Sequence, residues 1–438
     1  MQSFTDLQHM RKRSYQLMGN GRDGLFNLMD AVLTSRSVTS FVELSLSPVF
    51  QRSWSSLYKS LERSEPPATK LMQLYKQYLP VPEPGSQLLL AGDHTAWPRL
   101  WSPTLRERTY EHQPQPYAEA SSVTIGHGYS SLVCVPERQG SWALPLLHER
   151  ITSFETPLEK AAQQLRAVCA RLSQRPLSVW DSEYGCGQFI KLTADIHCDK
   201  LMRLRPNRVL YGPPPEYSGR GRPRKHGDKF TLKAEETWWQ ADAEQTVQSQ
   251  QLGSLRLRQW STVHFRQSPD HAMNLVLVER LDKAGNRRHQ PLWLVWVGHN
   301  MPALETLWQL YLRRFCIEHW YRFIKQRLYW CLPHLGTAQQ TQAWSTLIPL
   351  MSWQLWLARA ECTDSPFPWQ KPMSDKTPGR VANAFAAILV TIGTPAEGPK
   401  PRGKSPGWPK GKRRTQRPRF PTIKKTYSKP KRKGKKAA

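Results

Sequence analysis

Cysteine is scarce in this chain, and its spacing fits no common metal or disulfide framework. The seven cysteines are odd in number, and no two of them are spaced as C-x-x-C. This pattern argues against a zinc ribbon and against a disulfide scaffold. We therefore expect a protein of a reducing cytosol.

Long apolar runs are also lacking. The first residues, MQSFTDLQHMRKRSYQ, have no apolar core of the kind that a signal peptide requires. The run nearest to a membrane span covers residues 346–358, which is too short and contains Pro349. We expect no insertion into a membrane.

Acidic residues are few relative to basic ones. The chain has 63 Lys and Arg against 34 Asp and Glu, a net charge of +29. Residues 401–438 hold 16 Lys and Arg and no acid, so +29 less this +16 leaves +13 for residues 1–400. Such an excess predicts a polyanionic partner, with nucleic acid as the first candidate.

The first 80 residues have a helical pattern. Two apolar helix patterns lie on either side of a Ser47-Pro48 break, and the second carries basic residues. This arrangement is compatible with a helix-turn-helix that binds DNA, and equally with a helical hairpin that only packs. The segment PVPEPGS at 80–86 then marks a domain boundary.

Residues 85–210 show alternating strand and helix patterns, which predict an α/β core. The strand-like run QLLLAGDHT ends on Asp93, a helix pattern follows over residues 158–172, and a short strand in LSVWDSEYG ends on Asp181. The ends of buried strands are where α/β proteins commonly meet their ligands. Asp93 and Asp181 are therefore candidate site residues.

Residues 211–300 combine a basic loop with three strand-like runs, which predict a β-rich insertion. The loop contains a Gly-Arg-Pro core that resembles an AT-hook, a segment that lies in the minor groove of A·T-rich DNA. A flexible loop that binds phosphates is an equal alternative. The candidate DNA-binding residues of this loop are Arg220, Arg222, Arg224 and Lys225.

Residues 311–325, YLRRFCIEHWYRFIK, are predicted to form one amphipathic helix within a mostly helical segment, 301–394. At about 100° per residue, one polar stripe collects Tyr311, Arg314, Glu318 and Lys325. The stripe is either a solvated face with i,i+4 ion pairs or the wall of a cleft. Residues 395–438 have a disordered, polycationic composition and are expected to add non-specific DNA affinity.

Asp93, Asp181 and Glu318 together would suit two Mg²⁺ ions, because hard cations take oxygen ligands and bind substrate phosphates at the same time. The cations of the stripe would then hold DNA phosphates beside the metal. His94 is better suited to packing or to a phosphate contact than to metal ligation.

The order of these features resembles the DDE transposases of bacterial insertion sequences. The group in question carries a Y-(2)-R-(3)-E-(6)-K signature, which Tyr311, Arg314, Glu318 and Lys325 match in identity and spacing. Asp93 in GDHT and Asp181 in VWDSEYG resemble the first two catalytic acids. Glu183 stays open as an alternative second acid. The resemblance covers about residues 85–435 and implies a ribonuclease-H-like mixed sheet with flanking helices, interrupted by the β-rich insertion.

The resemblance also implies a function. It implies two Mg²⁺ ions, with Mn²⁺ able to substitute, bound by Asp93, Asp181 and Glu318. The expected partners are double-stranded DNA, as element ends and as target, and a second copy of the chain in a homodimer. The expected location is the bacterial cytoplasm, at the nucleoid. A metal-dependent nuclease without strand transfer and a cleavage-dead DNA-binding relic remain alternatives. A recombinase that uses Tyr311 as nucleophile is disfavoured, because such enzymes need no acid triad.

Overall fold

The computed structural model describes residues 4–112, 122–401, 407, 409–413 and 415–425. The strands of this part are β1 (Leu89–Pro98), β2 (Thr109–His112), β3 (Val123–Cys134), β4 (Leu144–Ile151), β5 (Leu177–Trp180), β6 (Asp199–Arg203), β7 (Val209–Tyr211), β8 (Lys229–Thr231), β9 (Ala243–Ser249), β10 (Gly253–Phe265), β11 (Ser268–Arg280) and β12 (Leu292–Val297). Its helices are α1 (Thr5–Leu17), α2 (Arg22–Thr34), α3 (Ser55–Arg63), α4 (Ala68–Lys76), α5 (Pro157–Cys169), α6 (Gly187–Leu192), α7 (Leu304–Leu312), α8 (Phe315–Gln326), α9 (Ala338–Ala358) and α10 (Pro378–Ile392).

One mixed sheet runs through the described part of the chain. Its strand order is β2-β3-β1-β5-β6-β12-β11-β10-β7-β8, with β4 also paired to β3 and β9 to β10. The strands β1, β5 and β6 are parallel, while β3 and β4 pair in antiparallel fashion. The helix α5 connects β4 to β5, and α6 connects β5 to β6. This topology confirms the predicted ribonuclease-H-like mixed sheet with flanking helices.

The strands β7–β12 form the insertion, and they extend the central sheet instead of standing apart from it. β12 pairs with β6 in antiparallel register, from Leu294 opposite Arg203 to Val297 opposite Lys200. The three strand-like runs of the sequence correspond to β10, β11 and β12. A group of aromatic rings fills the core of the insertion, namely Phe230, Trp238, Trp239, Trp260 and Trp293.

The N-terminal helices pack against the C-terminal ones. The helices α1 and α3 contact α9, and α2 contacts α10. Within this packing, Arg11 and Asp30 form a buried ion pair with a 2.8 Å separation, and Arg11 also donates to Gln354 of α9. The helix-turn-helix interpretation of this region stays a prediction. None of the helices in the described residues combines the length and apolar character of a membrane span.

The predicted helix over 311–325 is divided into two. α7 ends at Leu312 and α8 begins at Phe315, and the turn between them is closed by i to i−3 bonds at Arg314 and Cys316. Such bonds tighten the backbone to about three residues per turn, so one helical wheel does not describe both segments. The two arginines of the turn diverge: Arg313 donates to the carbonyls of Val135 and Glu137, whereas Arg314 reaches Asp93.

Part of the basic tail lies against the sheet. The backbone N–H groups of Phe420 and Ile423 donate to the carbonyls of Pro103 and Arg108, and Ile423 bridges to Thr109 of β2. This finding corrects the prediction of a tail disordered throughout 395–438. The physical reason is a set of specific partners, since the loop before β2 and the first residue of β2 bind the backbone of Phe420 and Ile423.

Candidate active site

Asp93 and Asp181 stand side by side on neighbouring parallel strands. The last register pair between β1 and β5 joins Gly92 to Trp180, and the two aspartates follow directly after it. Neighbouring strands lie about 4.8 Å apart, so this register brings the two backbone positions together. The sequence had placed Asp93 at the end of its strand, but β1 continues to Pro98 and pairs Asp93 with Ser131 of β3.

Glycine is needed beside this pair of acids. A Cβ atom added to Gly92 would lie 2.0 Å from the Trp180 ring, well inside van der Waals contact. The Trp180 side chain is buried and packs against Tyr184 and Phe189. Gly92 therefore leaves the space that the Trp180 ring occupies beside the two acids.

The helix α8 lies across β1 and attaches to it at three places. Arg314, which precedes the helix, donates from Nη1 to Asp93 Oδ2 at 3.1 Å. Tyr321 donates its hydroxyl to the Asp93 carbonyl at 2.9 Å, and Lys325 donates to Thr95 Oγ1 at 2.7 Å. Asp93 and Thr95 share one face of the strand, because strand side chains alternate. The polar stripe of the helix thus faces the protein.

Glu318 is joined to Asp93 through Arg314. The Nη2 atom of Arg314 donates to Glu318 Oε1, while its Nη1 atom holds Asp93. Because two hydrogen bonds and one guanidinium connect them, the two carboxylates lie within roughly 8 Å of each other. The Glu318 side chain is 44% exposed and that of Asp93 only 15%, so Glu318 lies on the open side of the site.

The charges of the site are incompletely balanced. Burial raises the pKa of Asp93 to about 6; Arg314 opposes this shift, and the neighbouring Asp181 adds to it. Burial would lower the pKa of Arg314, yet the nearby Asp93, Tyr311, Glu318 and Asp181 raise it. The carboxylates therefore hold more negative charge than one arginine neutralises.

Tyr311 and Lys325, the remaining two residues of the stripe, are largely buried. Burial lowers the pKa of the Lys325 ammonium and raises the pKa of the Tyr311 hydroxyl. Tyr311 and Arg314 are 2% and 5% exposed, and both lie against the acids instead of an open surface. Their assignment as DNA contacts stays a prediction. The solvated-face alternative expected i,i+4 ion pairs, and the Arg314–Glu318 pair is such a contact, but its arginine is buried and only Glu318 is solvated.

A second group of polar side chains borders Asp181. Glu183 donates its backbone N–H to Asp181 Oδ1 at 3.0 Å, while its carboxylate lies 3.8 Å from His94 Nε2 and 3.9 Å from Arg205. The His94 Nδ1 atom lies 3.1 Å from the buried Tyr184 hydroxyl. The His94 ring thus has polar partners other than the acid pair, and its assignment to packing or to a phosphate contact stays a prediction.

Sequence reasoning missed several residues of this site. Tyr321, Thr95 and Tyr184 contact Asp93 or its neighbours, although they were not singled out. Two signals could have found them. Thr95 lies two residues from Asp93, on the same strand face, and Tyr321 lies three residues from Glu318, on the same helix face.

The basic loop lies between β7 and β8, and its cations are free of the acid site. Its four candidate residues, Arg220, Arg222, Arg224 and Lys225, are all exposed. The loop turns at Gly219 and Gly221, which have φ values of 80° and 75°, and Tyr217 donates its hydroxyl to the Gly221 carbonyl. These residues present positive charge to solvent, which is what binding a polyanion requires.

The donor chemistry of the acid site suits a divalent cation. Three carboxylates supply the hard oxygen ligands that Mg²⁺ prefers. Burial, and then the neighbouring Asp181, raise the pKa of Asp93. Within the described residues, however, no three His, Cys, Asp or Glu side chains form a group that could hold one ion. Arg314 holds Asp93 and Glu318 instead, so these acids fit a shared cation only after Arg314 releases them.

The comparison with known families agrees with the fold. The sequence model of the DDE superfamily endonucleases matches residues 15–267, more than half of the chain. The chain therefore belongs to the DDE superfamily endonucleases, which are nucleases that act on DNA. The match contains Asp93 and Asp181, begins within the N-terminal helices, and ends before Glu318. No curated protein matches the chain.

Proposed function

We propose that this protein is a DNA transposase that cleaves the ends of an insertion sequence and joins them to target DNA by cut-and-paste chemistry. The observation that carries this proposal is the pairing of Asp93 and Asp181 on adjacent parallel strands, with Glu318 joined to Asp93 through Arg314. Family membership supports the nuclease chemistry, and the Y-R-E-K spacing supports the more specific assignment.

Asp93, Asp181 and Glu318 would hold two Mg²⁺ ions, with Mn²⁺ as a substitute. When bound, such ions activate water or a 3′-hydroxyl for in-line attack on phosphorus and stabilise the leaving oxygen. The protein's own groups orient the carboxylates: Tyr321 fixes the backbone of Asp93, and Glu183 donates its N–H to Asp181. Glu183 itself is the alternative second acid.

The DNA contacts are assigned to two sets of residues. Tyr311, Arg314 and Lys325 would hold phosphates of the cleaved end, close to the acids. Arg220, Arg222, Arg224 and Lys225 would contact DNA away from the site, in the minor groove or along the phosphates. The DNA comprises the element ends and the target, and the active species is a homodimer on DNA.

The alternatives share part of this chemistry. A metal-dependent nuclease would carry out the same first cleavage but would not join the 3′ end to a second duplex. A cleavage-dead relic would bind DNA with neither step. Terminal inverted repeats in the DNA that flanks the coding sequence would support the transposase and supply the substrate for the test.

The test is a Mg²⁺-dependent cleavage and joining assay on DNA that carries the element's own terminus. We expect wild type to cleave the terminus and join it to a target plasmid. Glu318→Gln should lose at least about 100-fold in cleavage while it still binds the DNA, because the near-isosteric change removes a ligand charge.

Glu305→Gln is the matched control, since Glu305 is an exposed acid on α7. Equal cleavage by wild type and Glu318→Gln would return Glu318 to the role of a surface ion-pair partner, worth about 0–1 kcal/mol. Cleavage without joining would favour the nuclease.

A further inference from the structure

One guanidinium connects two of the three acids. Arg314 holds Asp93 Oδ2 through Nη1, at 3.1 Å, and Glu318 Oε1 through Nη2. Arginine can make this connection because its donors form a rigid planar fork, whereas a lysine ammonium is a single point charge. In the described part of the chain, Arg314 is the one Lys or Arg that forms an ion pair with either acid.

The contacts of Arg314 are incomplete. Its Nε atom is buried and donates to no acceptor among the described residues. A buried donor without a partner is unfavourable, so a new acceptor for this group would stabilise it. The residue also precedes α8 at the tight turn that follows α7, and the Glu318 side of the site is open to solvent. The guanidinium thus has an unsatisfied donor, and one of the two carboxylates that it holds is reached from solvent.

We infer that Arg314 is a positioning residue that takes the place of a divalent cation between Asp93 and Glu318 until DNA arrives. In the DNA-free protein its guanidinium keeps the two carboxylates together and excludes the ion. A DNA phosphate offers this guanidinium a bidentate acceptor, which frees both carboxylates for the metal. The inference rests on the proposed function, in which these acids are metal ligands. It adds that DNA binds before the metal does.

Competition of this kind can be measured without any cleavage. The probe is Mn²⁺ alone, titrated calorimetrically into the full chain in the absence of DNA. We expect Arg314→Gln to bind Mn²⁺ at least about tenfold more tightly than wild type, because the competing cation is gone. Arg322→Gln is the matched control: Arg322 is exposed on the same helix, and its loss removes the same formal charge. It should change the affinity less than about twofold.

A short DNA duplex supplies the second arm. Its addition should tighten Mn²⁺ binding to wild type, because phosphates draw Arg314 away, and should change binding to Arg314→Gln much less. If Arg314→Gln binds Mn²⁺ no better than wild type, or if neither protein binds it, the inference is wrong. Thermal unfolding would show whether Arg314→Gln folds. Arg314→Lys is the second variant, expected to bind Mn²⁺ with intermediate affinity because lysine keeps the charge but cannot span both acids.

One double variant separates this inference from the proposed function. Arg314→Gln combined with Asp93→Asn should lose the tightened Mn²⁺ binding. If the double variant keeps it, the acids are not the ligands and the proposed site fails, and the inference fails with it. If Asp93→Asn weakens Mn²⁺ binding to wild type but Arg314→Gln does not strengthen it, the inference alone fails.

Discussion

The basic side chains of the acid site, Arg314 and Lys325, and those of the loop between β7 and β8 are of the same types but stand in opposite surroundings. Arg314 and Lys325 are enclosed, and each has a fixed acceptor, Asp93 for one and Thr95 for the other. The loop residues Arg220, Arg222, Arg224 and Lys225 are exposed. The net charge of +29 therefore includes both enclosed cations with fixed acceptors and exposed cations.

The contrast shows that positive charge alone does not identify a DNA contact. At the acid site, a cation acts through its geometry, since a change of shape at constant charge would break a hydrogen bond to a named oxygen. In the loop, a cation acts mainly through its charge, because phosphates attract any exposed cation and release counterions. Substitutions should therefore have large, position-specific effects at the acid site and graded, additive effects in the loop.

The largest effect is expected from the second acid. Asp181→Asn should lower cleavage at least about 100-fold, because it removes a ligand charge beside Asp93. Glu183→Gln should cost much less, since the Glu183 contribution to Asp181 comes from its backbone N–H, which the substitution keeps. Single-turnover cleavage of the terminal DNA distinguishes the two. The opposite ranking would make Glu183 the second acid.

A smaller effect is expected from the loop. Changing Arg220, Arg222, Arg224 and Lys225 together to Gln should weaken DNA binding, because four charges that could neutralise phosphates are lost. The slope of log affinity against log salt should fall by up to about 0.9 per lost phosphate contact. Fluorescence anisotropy over a salt series measures it. Cleavage at saturating DNA should persist, and its loss would place the loop in the catalytic machinery.

The C-terminal tail combines a high density of Lys and Arg with a segment around Phe420 and Ile423 that contacts the sheet. Truncation after Lys425 removes six Lys and Arg and should flatten the salt slope with little change in thermal stability. Truncation after Gln416 also removes Lys425, whose ammonium lies 3.6 Å from the buried Glu111 carboxylate. That change should lower the free energy of unfolding by about 1–3 kcal/mol, because it leaves a buried acid without its cation. Equal melting temperatures for the two truncations would contradict this.

An effect that depends on pH is expected from His148, which lies beneath α8. Its ring contacts Tyr129, Trp320 and Trp330, and Nδ1 lies 2.8 Å from Ser131 Oγ. Burial lowers the pKa of His148 to about 3, with Lys325 adding to the shift, so the folded protein keeps this ring neutral. The unfolded chain takes up the proton near pH 6.5. Stability should therefore fall as the pH drops from about 6.5 towards 3, by at most about 1.4 kcal/mol per pH unit for this group.

Urea unfolding of wild type and His148→Gln across this range measures the effect, with His319→Gln, an exposed change on α8, as the control. The stability difference between wild type and His148→Gln should shift in favour of the variant as the pH falls. A constant difference would show that the ring is protonated in the folded protein.

The sequence analysis did not predict β2, β3 and β4, which complete the core sheet beside β1, and the reason is physical. β3 is buried along most of its length, yet it contains polar residues that obscure both alternation and a continuous apolar run. Ser130 and Ser131 are fully buried because they find hydrogen-bond partners on distant elements, Gln164 and His148. No local pattern reveals a partner that lies 34 residues away. By contrast, β10 and β12 were predictable from alternation and from an apolar run.

The sequence by itself determined the class of protein and predicted which acids form its site. Two local patterns can be recognised in the sequence alone. One is the order of strand, helix and strand around Asp93 and Asp181, and the other is the spacing from Tyr311 to Lys325. The tertiary structure alone decided what those residues contact. The turn between α7 and α8 directs Arg313 to backbone carbonyls and Arg314 to two acids, and β2 holds a tail that composition had marked as disordered. The reason is that a charged side chain takes its role from its nearest partner, and in a folded chain that partner comes from a distant segment.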